Sequence, residues 1–341
     1  MAKYKITVLT PLHIGTGNSY SQNFNMLCKG GFVYFYDEFK LVDFLLSKDE
    51  YIPEDFNKLK EKIKNYKDEI IKSNLHLRKI KNDFSSLENK DVLENVSSSN
   101  KPIVAGSSIK GAIRTAVLNS LQLKDERNED LYNSLKNKNI YKNRFSKGRK
   151  TEDTFDEDFK SLFTYLKISD SIESNLNTQI FKSINIKKNK KHQSSREKRV
   201  INIQNNVECI SAKQMFYIDI KDESIKKYGK NIFSNLGKIC NKFYLNAFNK
   251  EKELYFNLFS LGKDFEINEE SNDVFLLNIG RFSGAEMKSL DNFRYIKNSK
   301  SKDKKESSTR TFALKDDVED NVYFEKELLP FGWVLCELVK D

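Results

Sequence analysis

Residues Pro102 to Leu121 constrain the fold of this chain more than any other stretch. Gly106 permits backbone conformations closed to residues with a Cβ, and Ser107 or Ser108 is a strong helix N-cap. After them Ile109, Ala112/Ile113, Ala116/Val117 and Leu121 recur at helical spacing, which predicts a helix from about Ser108 to Leu123 with one buried stripe. Lys110 and Arg114 lie four apart and share the opposite face. Two cations near a helix start oppose the macrodipole. A bound phosphate would satisfy the exposed N–H groups, the dipole and both side chains together. An ordinary capped helix with two solvated cations is the competing reading. The segment is no nucleotide-hydrolysing P-loop, because Lys110 precedes Gly111 and Ala112 stands where that motif needs a hydroxyl. The anion it suggests is a chain phosphate.

The rest of the composition bounds the partners. The chain has 341 residues, of which 38% are hydrophobic and 32% charged, so long polar insertions are expected around its core. A net charge of +10 suits a polyanion, although a chain rich in Lys, Asn and Ile also reflects an AT-rich genome. Cys28, Cys209, Cys240 and Cys336 are scattered and only three histidines occur, which excludes a zinc finger or ribbon and implies reduced thiols. No cofactor or metal is expected. The start of the chain leads straight into a strand, and no apolar run reaches the roughly 18 residues of a membrane span. A soluble, cytoplasmic protein is expected.

Along the chain, Tyr4–Thr10 reads as a strand with Gly31–Tyr36 as its hairpin partner. Glu38–Leu46 and Asp55–Ile80 read as helices, the second long and charged. Leu162–Ser169 is a strand. Lys182–Arg199 carries eight Lys/Arg against the single acid Glu197 and is either a disordered insertion or a projecting basic hairpin. A second basic cluster, Lys136–Lys150, is followed at once by acids. Met215–Ile220 is a strand, Ile225–Phe248 a helix, Phe275–Ile279 a strand, Lys297–Arg310 a polar mobile stretch and Trp333–Val339 a final strand. Short strands in strand–helix–strand units predict an α+β chain of ferredoxin-like layers.

Four glycine loops punctuate these elements: His13-Ile-Gly15-Thr-Gly17, Gly106–Gly111, Gly280-Arg281-Phe282-Ser283-Gly284 and Pro330-Phe-Gly332. Glycines allow close backbone approach, and successive N–H groups can cradle an anion. Arg281 offers a fork for phosphate, and Phe282 either a stacking face for a base or a core side chain.

In this order and spacing the anchors resemble the RAMP superfamily of CRISPR–Cas proteins. More narrowly, they resemble the subunit that caps the crRNA 3′ end of the type III-A effector, the Csm complex. The resemblance implies RRM-like, ferredoxin-like layers. It divides the chain into an N-terminal domain (1–206), with a helical insertion at about 38–96 and a basic thumb-like insertion at about 182–199, and a C-terminal ferredoxin-like domain (207–341). The RNA-contacting positions it implies are His13, Gly15, Gly17, Ser107, Ser108, Lys110, Arg114, Arg281, Phe282 and Gly284, with Lys187, Lys188, Lys190 and Arg196 on the thumb. The implied partners are the 3′ part of crRNA, the neighbouring backbone RAMP subunit and other Csm subunits, and beyond them target RNA and host 3′-trimming nucleases.

Some RAMP relatives cut RNA with a histidine, so His13 raises the alternative of a metal-independent crRNA-processing endoribonuclease. Such chemistry needs a second group in reach of the proton. No Asp or Glu occurs from Met1 to Tyr36, and Asn18–Asn25 offers only amides and hydroxyls. The sequence therefore predicts a non-catalytic RNA-binding subunit, with a protein-only scaffold as a third reading.

Overall fold

A computed structural model describes residues 1–81, 87, 90–122, 160–172, 174–187, 197–199, 201–229, 231–254, 267–291, 309–314, 322–324 and 328–340. Its centre is a five-stranded antiparallel sheet in the order Val274–Asn278, Trp333–Leu338, Ala2–Val8, Met215–Asp222, Leu166–Ile168. The helices Gly106–Gln122 and Leu236–Leu254 cover one face. Ile109, Ile113, Val117 and Leu121 from the first helix meet Ile239, Cys240, Phe243 and Tyr244 from the second, over Ile6, Val8, Phe216, Ile218, Phe275 and Cys336 of the sheet. Burying apolar side chains that alternate along strands and recur along helices is what drives this layer together. The hydroxyl of Tyr244 donates to the Ala112 carbonyl at 3.0 Å, fastening helix to helix. This is the expected α+β, ferredoxin-like architecture.

A second, six-stranded sheet runs Leu328–Pro330, Thr309–Leu314, Thr178–Lys187, Ile201–Ile210, Val92–Asn95, Gly15–Tyr20. Thr178–Lys187 and Ile201–Ile210 are paired antiparallel, forming the two arms of a hairpin at the basic stretch. Ile184, Ile210, Phe312 and Leu314 of this sheet join the same core as the first. The expected boundary at 206/207 falls inside Ile201–Ile210, and both large sheets take strands from either side of it.

The insertion is a small layer of its own. Strands Met26–Lys29, Phe32–Phe35 and Arg78–Lys81 pack under helices Glu38–Leu46, Phe56–Asn65 and Lys67–Lys72. Leu27, Tyr36, Leu41, Leu45, Ile63 and Ile70 form its core.

Four expectations change. Phe32–Phe35 pairs inside the insertion, while Ala2–Val8 takes partners more than 200 residues away, because its apolar face is completed only in the central sheet. The helix expected over Asp55–Ile80 breaks at Tyr66 and gives way to a strand at Arg78. The strand expected over Leu162–Ser169 is a 3₁₀ turn, Lys160–Tyr165, followed by Leu166–Ile168. The helix expected over Ile225–Phe248 stops after one turn at Gly229, in a left-handed conformation, and resumes at Leu236. Lys136–Lys150 and most of Lys297–Arg310 lie outside the described residues.

Candidate nucleic-acid interface

Three of the four glycine loops meet along one groove of about 560 Å³. One wall is Ile14–Gly17, the floor is the helix face of Ser108, Gly111, Ala112 and Thr115, and the far wall is Asn278–Arg281 with Met287 and Lys288. Backbone hydrogen bonds stitch these segments. Arg281 N–H donates to the His13 carbonyl at 2.8 Å, Leu12 and Ile210 exchange bonds at 3.0 and 2.8 Å, and Ile279 N–H donates to the Gly332 carbonyl at 2.8 Å. The fourth loop therefore lies behind the groove as a brace, with Phe331 fully buried.

The groove is lined by hydroxyls, bare backbone and two cations, Arg281 and Lys288, and by no carboxylate among the described residues. Partial loss of solvent holds the Lys288 ammonium below its usual range, and the guanidiniums of Arg310 and Arg281 add to that. Lys288 was not legible as a site residue, although it follows the last glycine loop by only four positions.

His13 is fully buried behind this wall. Its Nδ1 lies 2.7 Å from the Glu208 carbonyl, which can only accept, so Nδ1 carries the proton. Nε2 has no hydrogen-bond partner and faces Gly15, where a Cβ would stand 2.8 Å away. Burial lowers the imidazole pKa, against the raising effect of its bond to Glu208. His13 is a neutral ring that holds three segments together.

Lys110 and Arg114 stand off the groove, on the side of the helix nearest Leu166–Ile168. Burial, then Lys167 and Arg114, lowers the Lys110 pKa, and the Arg114 guanidinium lies 5.5 Å over the Phe163 ring. The helix begins at Gly106, earlier than expected, and Ser107 and Ser108 fall in its first turn. The start is held from within the chain, since Gly106 N–H donates to the Asp170 carboxylate at 2.8 Å. The phosphate expected at that point is thus replaced by an internal anion. A Cβ on Gly106 would sit 2.6 Å from the Ile168 carbonyl oxygen, so only glycine fits there.

Phe282 packs against Phe331 at 5.1 Å and His13 at 5.9 Å, with the Arg281 guanidinium 5.2 Å over its ring. The stacking face expected of it is met by its own chain. Gly284 closes over Arg310, whose guanidinium bonds the Phe282 carbonyl and the buried Glu251. Gly15 and Gly17 line the groove and Ser107 is exposed beside it. Lys187 ends a strand of the basic hairpin, and Lys188, Lys190 and Arg196 lie outside the described residues.

The family model of the RAMP superfamily matches residues 5–285. The chain belongs to the RAMP superfamily. Among RAMP relatives, a protein of Methanocaldococcus jannaschii described as CRISPR system Cms protein Csm5 is 30% identical over 272 residues, which is 70% of this chain and 60% of that protein. The RAMP fold seen here is shared by a chain in a cryo-EM structure of a Csm–crRNA–target RNA ternary complex of a type III-A CRISPR–Cas system. That likeness has a TM-score of 0.64 and 17% identity, covering 99% of this chain and 100% of the other. The crystal structure of T. onnurineus Csm5 is also similar, with a TM-score of 0.54 and 18% identity over 97% and 99% of the two chains.

Proposed function

We propose that this RAMP protein is a non-catalytic, RNA-binding subunit of a type III-A CRISPR effector, in which it caps the 3′ part of the crRNA and adjoins the neighbouring backbone subunit. The groove is the seat of the guide, and by shielding 3′ nucleotides the subunit influences crRNA maturation. The likeness to Csm chains supports the assembly. The state of His13 supports the absence of chemistry: its one N–H is given to a carbonyl and its other nitrogen is sealed behind Gly15. Lys110, Arg114 and Lys167, on the flank of the helix, extend the cationic track beyond the groove.

The observation that carries this reading is Gly111. It sits mid-helix, exposed, on the groove floor, with nothing within 4 Å of where a Cβ would stand. Packing does not require a glycine there, and in a helix it costs about 1 kcal/mol relative to alanine. A ligand backbone that approaches the helix closely accounts for it. Gly111→Ala is therefore expected to raise stability by about 0.5–1 kcal/mol while weakening single-stranded RNA binding. Arg281→Ala with Lys288→Ala should flatten the salt dependence of binding by about two units of slope, one per lost phosphate contact. Fluorescence anisotropy over a salt series checks both. Full-strength RNA binding by all of these variants would overturn the groove assignment.

A further inference from the structure

Arg78 belongs to the insertion and does not line the groove, yet two chains of hydrogen bonds lead from it to the groove wall. Its Nη2 bonds Glu208 Oε2 at 2.8 Å and its Nη1 bonds Oε1, a fork that meets a fully buried carboxylate. Nη1 also reaches Thr178 Oγ1 at 3.2 Å, and the guanidinium lies 4.3 Å over the Phe35 ring. Burial works against its charge, but the bonded Glu208 more than offsets that and raises its pKa.

From Glu208 the first chain continues inward. Glu208 Oε2 accepts Asn95 N–H at 3.2 Å, Asn95 Oδ1 accepts Ile14 N–H at 2.9 Å, and the Glu208 carbonyl accepts His13 Nδ1–H at 2.7 Å. The second chain starts at Nη2, which donates to the Tyr20 hydroxyl at 3.0 Å. That hydroxyl donates to Glu94 Oε1 at 2.8 Å, and Glu94 Oε2 accepts from Thr16 Oγ1 at 2.8 Å. The two chains end on Ile14 and Thr16, the residues either side of Gly15.

A buried ion pair is weak evidence of stability, because well-packed apolar residues can replace one without loss. What distinguishes this pair is where its branches end. We propose that Arg78 is the positioning residue of the Ile14–Gly17 wall, through which the insertion sets that wall in the geometry an RNA strand meets. The inference rests on the reading of the groove as an RNA seat and adds the insertion as the element that shapes it.

The test uses the full chain as Arg78→Lys, which keeps a cation beside Glu208 but loses the planar fork. The Arg78→Met/Glu208→Gln pair, which removes both charges, guards against misfolding of the first variant. In either, affinity for single-stranded RNA should fall roughly tenfold, the worth of one or two oriented hydrogen bonds. The salt slope should stay unchanged, since Arg78 meets no phosphate. In ¹⁵N-histidine NMR, His13 should pass from a single Nδ1–H tautomer to a mixture. Unchanged affinity and tautomer in a folded variant would overturn the proposal by reducing Arg78 to a structural pair. A slope lower by about one would overturn it by making Arg78 a direct phosphate ligand. If the wild-type chain binds no RNA, the groove reading falls, and the His13 tautomer alone decides whether Arg78 sets the wall.

Discussion

Arg310→Met is expected to destabilise the folded chain by about 3–5 kcal/mol, the cost of breaking a buried ion pair by removing one partner. Arg310 and Glu251 are each only 4% exposed. Glu251 accepts from Arg310 Nε through one oxygen and from Trp333 Nε1 through the other at 2.9 Å. Without the guanidinium the carboxylate stays in the core with a single neutral donor. Arg310 also bonds the Phe282 carbonyl beneath Gly280–Gly284, so its loss frees the loop that carries Arg281. Adding Glu251→Gln removes the stranded charge, keeps an acceptor for Trp333, and should recover most of the lost stability. Urea unfolding midpoints measure both variants. A single-variant cost below about 1 kcal/mol, the range of exposed pairs, would contradict the buried-pair account.

Gly280→Ala should be nearly as damaging, for a different reason. Gly280 has φ +82°, which strains a residue with a Cβ by about 1–2 kcal/mol. The new methyl would also run into the His13 carbonyl oxygen and stand 3.0 Å from Leu12 Cδ1. Crowding of that kind costs about 1–3 kcal/mol, and the backbone oxygen it meets is itself bonded to Arg281 N–H. The expected total is about 2–4 kcal/mol, together with displacement of the two groove walls from each other. Thermal unfolding and the Arg281 amide signal report the two effects. A variant as stable as wild type would place Gly280 elsewhere than against His13.

Much of the local structure was legible in the sequence. Glu38–Leu46 has the expected bounds, and the apolar stripe from Ile109 to Leu121 faces the core as its spacing requires. The three groove loops were legible as glycine clusters because close backbone approach leaves a mark on composition. Pairings were less legible. Nothing near Ala2–Val8 announces that Met215–Asp222 and Trp333–Leu338 flank it, since sheet order is decided by which apolar faces fit together at long range. Capping Gly106 from Asp170 and pairing Arg78 with Glu208 are likewise contacts between residues 64 and 130 positions apart. Lys110 and Arg114 were visible as an i, i+4 pair, but which side of the helix faces the groove depends on how the helix lies on its sheet. Lys288 carried no signal of its own beyond its place after Gly284.

The most direct test of the central claim is photocrosslinking of the assembled native complex with guide RNA that carries photoreactive nucleotides in its 3′ part, followed by mass spectrometry of the attached peptides. The account places the crosslinks on Ile14–Gly17, Ser107–Thr115 and Asn278–Lys288, the three segments that wall one groove. Crosslinks gathered instead on the open face of the central sheet, around Lys3, Lys5 and Tyr217, would contradict it.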